Sequence, residues 1–67
     1  MYVALMEKIQ GHDVERAIRE FPSEASFLRA LDRIEMKAYD RGIDTARLGN
    51  SLTVIGNHGE IRFRSID

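Results

Sequence analysis

No cysteine occurs in the 67 residues, so neither a disulfide framework nor a thiolate metal site can staple the chain. A domain this short buries only about 60% of the surface that its unfolded chain exposes. Stability must therefore come from good packing or from self-association. Long apolar runs are missing too: nothing approaches the roughly 18 residues that span a bilayer. MYVALMEKIQ also lacks the basic segment and cleavage site of a secretory leader. The chain is expected in the cytoplasm, away from membranes.

Charge of one sign is equally scarce. Ten Lys and Arg face eleven Asp and Glu, for a formal net charge of −1. Such a balance excludes a global field that would draw in nucleic acid. Repeats, low-complexity tracts and linkers are absent, so residues 1–67 read as a single domain. What is present is ordinary for a folded globular chain: 43% hydrophobic and 31% charged residues.

The only proline, Pro22, is the clearest punctuation of the first two thirds. Before it, Tyr2, Leu5, Met6 and Ile9 stand at i, i+3, i+4 and i+7, the spacing of one helix face. A strand over the same stretch is the alternative, because a buried strand also reads as a short apolar run. Asp13 reads as the N-cap of VERAIREF, where Val14, Ala17, Ile18 and Phe21 repeat the helical spacing. Ser23 then opens the longest periodic segment, about residues 24–41. Glu24 lies in its first turn, Arg41 in its last, and Gly42 at the position after its end. Phe27, Leu31, Ile34 and Ala38 form its core stripe, with Leu28, Met36 and Tyr39 on one flank. Asp44 is expected to cap one short turn, TARL.

In the last third the period changes from 3.6 to 2. A two-residue turn at His58 and Gly59 predicts a hairpin of about 51–56 and 60–66, with Val54 opposite Phe63 and Ile55 opposite Arg62. That turn, of type I′, demands positive φ at Gly59 and its neighbour. Leu52, Val54, Gly56, Ile61 and Phe63 then share one face; Ser51, Thr53, Ile55, Asn57, Glu60, Arg62 and Arg64 share the other. The expected fold is α+β: two or three helices, one of them long, followed by a C-terminal antiparallel β-hairpin. Both hairpin edges stay open unless the N-terminal segment or a second copy covers one, which points to a homodimer through the hairpin edge.

Catalytic and metal constellations are not found in the sequence. His12 beside Asp13 has no nucleophile to serve and reads as a solvated loop residue next to a cap. His58 has no spaced ligand partner for a metal. GNSLTVIG and GNHG match neither phosphate-loop pattern, and Asp32 with Glu35 reads as an ion-pairing set. No enzyme activity, cofactor or metal is expected.

Two surfaces remain. Arg29, Arg33, Lys37 and Arg41, each four apart, drift by about 40° per step across the outer face of the long helix. They form a stripe suited to a phosphate backbone or an acidic partner. On the solvent face of the hairpin, Arg62 and Arg64 stand near Ile55 and Thr53. Arginine beside an exposed β-branched aliphatic is the composition of protein interfaces. The leading expectation is thus a non-enzymatic protein-binding module, a small regulator or inhibitor in the style of phage or mobile-element accessory proteins. It would dock through Ile55, Arg62 and Arg64. The alternative is a DNA-binding transcriptional regulator using the helix stripe and dimerised through the hairpin. In length and in its ending, LTVIGNHGEIRF, the chain resembles Cro-type phage repressors, but Phe21-Pro22 stands where their helix-turn-helix needs its turn.

Overall fold

The computed structural model describes residues 1–66, which form one helix and a five-stranded antiparallel sheet. The elements run β1 (Tyr2–Gln10), β2 (Asp13–Phe21), α1 (Glu24–Asp40), β3 (Asp44–Leu48), β4 (Ser51–Ile55) and β5 (Glu60–Ser65). Spatially the strands lie in the order β2-β1-β5-β4-β3. The expectation of two or three helices followed by a hairpin is overturned: a single helix lies between strands.

Residues 13–21 are a strand where a helix was expected, and residues 2–9 follow the strand alternative. Gln10 pairs with Asp13 across the two-residue turn Gly11-His12, and all nine positions of β1 find a partner in β2. Asp13 therefore closes a hairpin and caps no helix. Helix-like spacing misleads here because β1 is apolar on both sides. Tyr2, Ala4 and Met6 alternate with Val3 and Leu5, and such a run contains i, i+3, i+4 sets by default. In β2 the sheet partner overrides the helix preference of Glu, Arg and Ala, which is a weak prior.

The long helix forms as its signals dictate. Ser23, in extended conformation, accepts from the Ser26 N–H at 3.2 Å, while the Ser26 hydroxyl accepts from the Ser23 N–H at 3.2 Å. This is a capping box with serine at both ends. At the other end the Ile43 N–H donates to the Ala38 carbonyl at 2.8 Å and the Gly42 N–H to that of Tyr39 at 3.0 Å. These are the two bonds of a Schellman motif, and Gly42 takes the left-handed φ of 68° that it needs.

The helix starts after one edge strand and ends before the other. Its 17 residues are about 25 Å long at 1.5 Å each, enough to cross the roughly 19 Å between the outer strands of five. Phe27 and Leu31 are almost completely buried and meet Ala4 and Leu52 beneath them; Ile34, half-buried, packs against this core, and Ala38 is buried as well. Tyr2, Phe21 and Phe63 surround the cluster. Phe27 stacks tilted on Tyr2 and edge-on to Phe21, both at 5.3 Å between centroids. The predicted stripe on the helix is thus the core.

Residues 44–48, expected as a capped turn, are an edge strand paired with β4. Their covered-side residues are Thr45 and Arg47, so no apolar alternation announces the strand. Arg47 reaches up to the helix. Its Nη1 donates to Asp32 at 3.0 Å and to Glu35, and its Nε to the Gly49 carbonyl at 2.9 Å.

The β4–β5 hairpin forms in a register shifted by two from the expected one. Ile55 faces Glu60, Val54 faces Ile61, Leu52 faces Phe63 and Ser51 faces Arg64. Gly56-Asn57-His58-Gly59 is a four-residue loop closed by the Gly56 N–H on the Gly59 carbonyl at 2.9 Å. No positive φ occurs in it, contrary to the type I′ turn. Gly59 is needed for room: a Cβ there would stand 2.2 Å from the Ile9 carbonyl oxygen of β1. A shift of two preserves side-chain parity, so each residue keeps its expected face.

Candidate functional site: the uncovered sheet face

The molecule measures 33 × 27 × 15 Å. The short dimension holds two layers about 10 Å apart and no third, so one face of the sheet is uncovered. Pairing registers place its rows. Ile18, Leu5, Arg64, Ser51 and Leu48 form one; Arg16, Glu7, Arg62, Thr53 and Ala46 the next; Val14, Ile9, Glu60, Ile55 and Asp44 the third.

Apolar and charged groups interleave on this face. Ile18 is 57% exposed, Ile55 45% and Val14 42%, while Leu5 and Ile9 are half-buried between them. At the centre the Glu7 carboxylate receives Arg16 Nε at 3.0 Å and lies 3.6 Å from Arg64 Nε. Glu60 takes the Arg62 Nη2 at 3.0 Å. Half-exposed pairs of this kind contribute little to stability. They gather the guanidinium groups of Arg16, Arg62 and Arg64 along β2 and β5 beside Glu7 and Glu60.

Ile55, Arg62 and Arg64, picked from the sequence, share this face. The hairpin is interior to the sheet: β1 takes the outer side of β5 and β3 that of β4. The free edges therefore belong to β2 and β3. Leu5, Glu7, Val14, Arg16 and Ile18 complete the face and were missed, being assigned to helices. The Gly11-His12 turn, flanked by residues that alternate Val14, Arg16, Ile18, Glu20 on one side, was the signal that could have found them.

Arg29, Arg33, Lys37 and Arg41 are all exposed, on the helix layer, away from the open sheet face. Arg47 changes their surroundings. It engages Asp32 and Glu35, the two acids nearest the middle of the stripe, from the sheet side. Burial opposes the charge of Arg47, but hydrogen bonds and attraction from Asp32 and Glu35 outweigh it, and its pKa lies above the ordinary arginine value. Arg47 is a permanent cation there.

No group of three or more His, Cys, Asp or Glu that could hold a metal occurs among the described residues. His58 lines a shallow cavity of about 260 Å³ with Lys8, Val54 and Ile61 at one end of the sheet. His12 is an exposed turn residue. A second cavity, of about 190 Å³ and mostly apolar, opens beside Phe27 and Ile34 over β1 and β2. Among the described residues no helix is long and apolar enough to cross a membrane. Comparison with protein-family models, with curated proteins and with solved structures finds no match to this chain.

Proposed function

We propose that this chain is a non-enzymatic binding module that regulates or inhibits a partner protein by occupying its surface with the open face of the sheet. The observation that carries the reading is the one-sided cover. A single helix shields one face of five strands and leaves Val14, Ile18 and Ile55 exposed beside Arg16, Arg62 and Arg64. Aliphatic side chains set among arginines give a partner both apolar area and charge-assisted hydrogen bonds. The acids on the same face, Glu7, Glu20, Asp44 and Glu60, offset the arginines. Such a mixture favours a protein surface over a polyphosphate. The reading places the protein in the cytoplasm, among the small accessory regulators carried by phages or mobile elements.

The test compares tagged wild type with the R62E/R64E variant, both isolated from the native host, with mass spectrometry of what copurifies. The partner should be lost from the variant while its circular dichroism stays that of a folded chain, with only a modest fall in unfolding midpoint from the new glutamates beside Glu7 and Glu60. Recovery of the same partner in equal amount would sink the reading.

A second reading is favoured by one observation: Arg47 withdraws Asp32 and Glu35 from the stripe of Arg29, Arg33, Lys37 and Arg41. That leaves a more positive helix surface than the sequence alone suggests, suited to duplex DNA. It requires salt-dependent DNA binding that disappears in R29E/R33E. Absence of binding at low salt removes it.

A further inference from the structure

The strand β2 lies at one edge of the sheet, and among the described residues nothing pairs with its outer side. Most of its residues are exposed; only Ala17 and Phe21 are half-buried. An edge of this kind offers a row of unpaired N–H and C=O groups, and monomeric proteins blunt such edges with charged side chains, proline, bulges or short length. β2 carries the charges of Asp13, Glu15, Arg16, Arg19 and Glu20 but none of the backbone devices. It is nine residues long, contains neither proline, glycine nor lysine, and its register with β1 runs unbroken from Phe21 to Asp13. The opposite edge, β3, is only five residues long.

The side chains of β2 complement a second copy of themselves. In an antiparallel pair around a two-fold axis at Ile18, each Ile18 meets the other, and Arg16 stands opposite the partner's Glu20 and Glu20 opposite the partner's Arg16. All three lie on the open face, where Ile18 is the most exposed aliphatic residue of the strand. Neighbouring registers are worse. An axis at Arg16 puts two like charges in contact. One at Ala17 pairs Glu15 with the partner's Arg19 on the covered side but sets Ile18 against arginine and Val14 against glutamate; the Ile18 axis leaves Ala17 against arginine and Glu15 against phenylalanine there, yet alone joins two ion pairs to an Ile18–Ile18 contact. Opposite charges and paired β-branched residues directly across a strand pair are favourable, and like charges are not.

We propose that the protein is a homodimer joined edge to edge through β2, centred on Ile18, in one continuous ten-stranded sheet. Face-to-face pairing of the open faces is the poorer solution, because it would bury Glu7, Arg16, Arg62 and Arg64 away from water. Edge pairing leaves those groups solvated. Both helices then lie on one side, and the two open faces join into one surface carrying two copies of the Arg62–Arg64 patch. A two-fold related target would engage both at once.

The experiment is the solution mass of the intact chain by sedimentation equilibrium over a range of micromolar concentrations. Wild type should weigh twice the 7.7 kDa of one chain. I18K places two cations on the axis and E20R sets arginine against arginine, so each should weaken association at least tenfold. The double variant R16E/E20R exchanges the two charges across the axis and, although it also sets a glutamate opposite Glu7 within each chain, should regain association relative to E20R. R62E/R64E should remain dimeric, which separates this proposal from the partner-binding reading. A wild type that stays monomeric overturns the proposal and leaves the edge to a strand of another protein. A dimer that persists undiminished in I18K overturns it as well, since the contact then lies elsewhere.

Discussion

The two faces of the sheet are built from the same strands by the same alternation, yet one is a core and the other a surface. On the covered face Tyr2, Ala4, Phe21, Leu52 and Phe63 meet Phe27 and Leu31 of the helix, and aromatic rings fill the middle. On the open face aliphatic residues are nearly as frequent, but Glu7, Arg62 and Arg64 stand on the inner strands with Arg16 beside them on the edge. Hydrophobicity along the strands therefore does not tell core from surface. The interleaved ion pairs do, because charges in those positions can stay in water only if no layer is laid over them.

The sharpest way to break the comparison is to delete matched apolar groups from each face. L52A on the covered face should lose about 2–5 kcal/mol, a large part of the stability of so small a domain, whereas I55T on the open face of the same strand should change stability by no more than about 0.5 kcal/mol. Urea denaturation measures both. Equal losses would mean that the open face is a second core. Next in size is G59A. Its Cβ would collide with the β1 backbone at the Ile9 carbonyl, and forcing it in should cost about 1–3 kcal/mol. Amide exchange should show loosening around Ile9 and Glu60 first; a wild-type midpoint would rule out the close approach. The smallest effect is expected from R47M, which keeps much of the stem that packs under the helix but removes the guanidinium. A loss of at most about 1 kcal/mol is expected, reduced in high salt. A larger loss, insensitive to salt, would assign Arg47 to packing and place it with the covered-face core.

What the sequence revealed depended on whether a residue pattern has one meaning. Ser23, Gly42 and the stripe Phe27-Leu31-Ile34-Ala38 admit only a helix, and the helix was legible to within a residue. In the hairpin, parity was legible but register was not: the apolar pattern repeats every two residues, so a slip of two leaves Leu52, Val54, Ile61 and Phe63 on the same side. Parity alone put Ile55, Arg62 and Arg64 on one face. In β1 and β2 the apolar residues on two faces mimic one helical stripe, and half of the open face was lost to that ambiguity. β3 was illegible for a different reason. Its covered-side residue Arg47 is satisfied by Asp32 and Glu35 on the helix, a contact that no local pattern encodes.

The position of β1 between β2 and β5 has a consequence for how the chain folds. Its first neighbour follows after a two-residue turn, and that hairpin can zip as soon as it is made. The other neighbour comes only after β2, α1, β3 and β4: Ala4 must find Ser65, and Ile9 must find Glu60. Closing so long a loop is entropically slow. Until it happens, β1 keeps a bare edge and an uncovered row of backbone groups open to any passing strand. A nascent chain that pauses after β4 is therefore an aggregation hazard, and β5 works as the latch that ends that exposure.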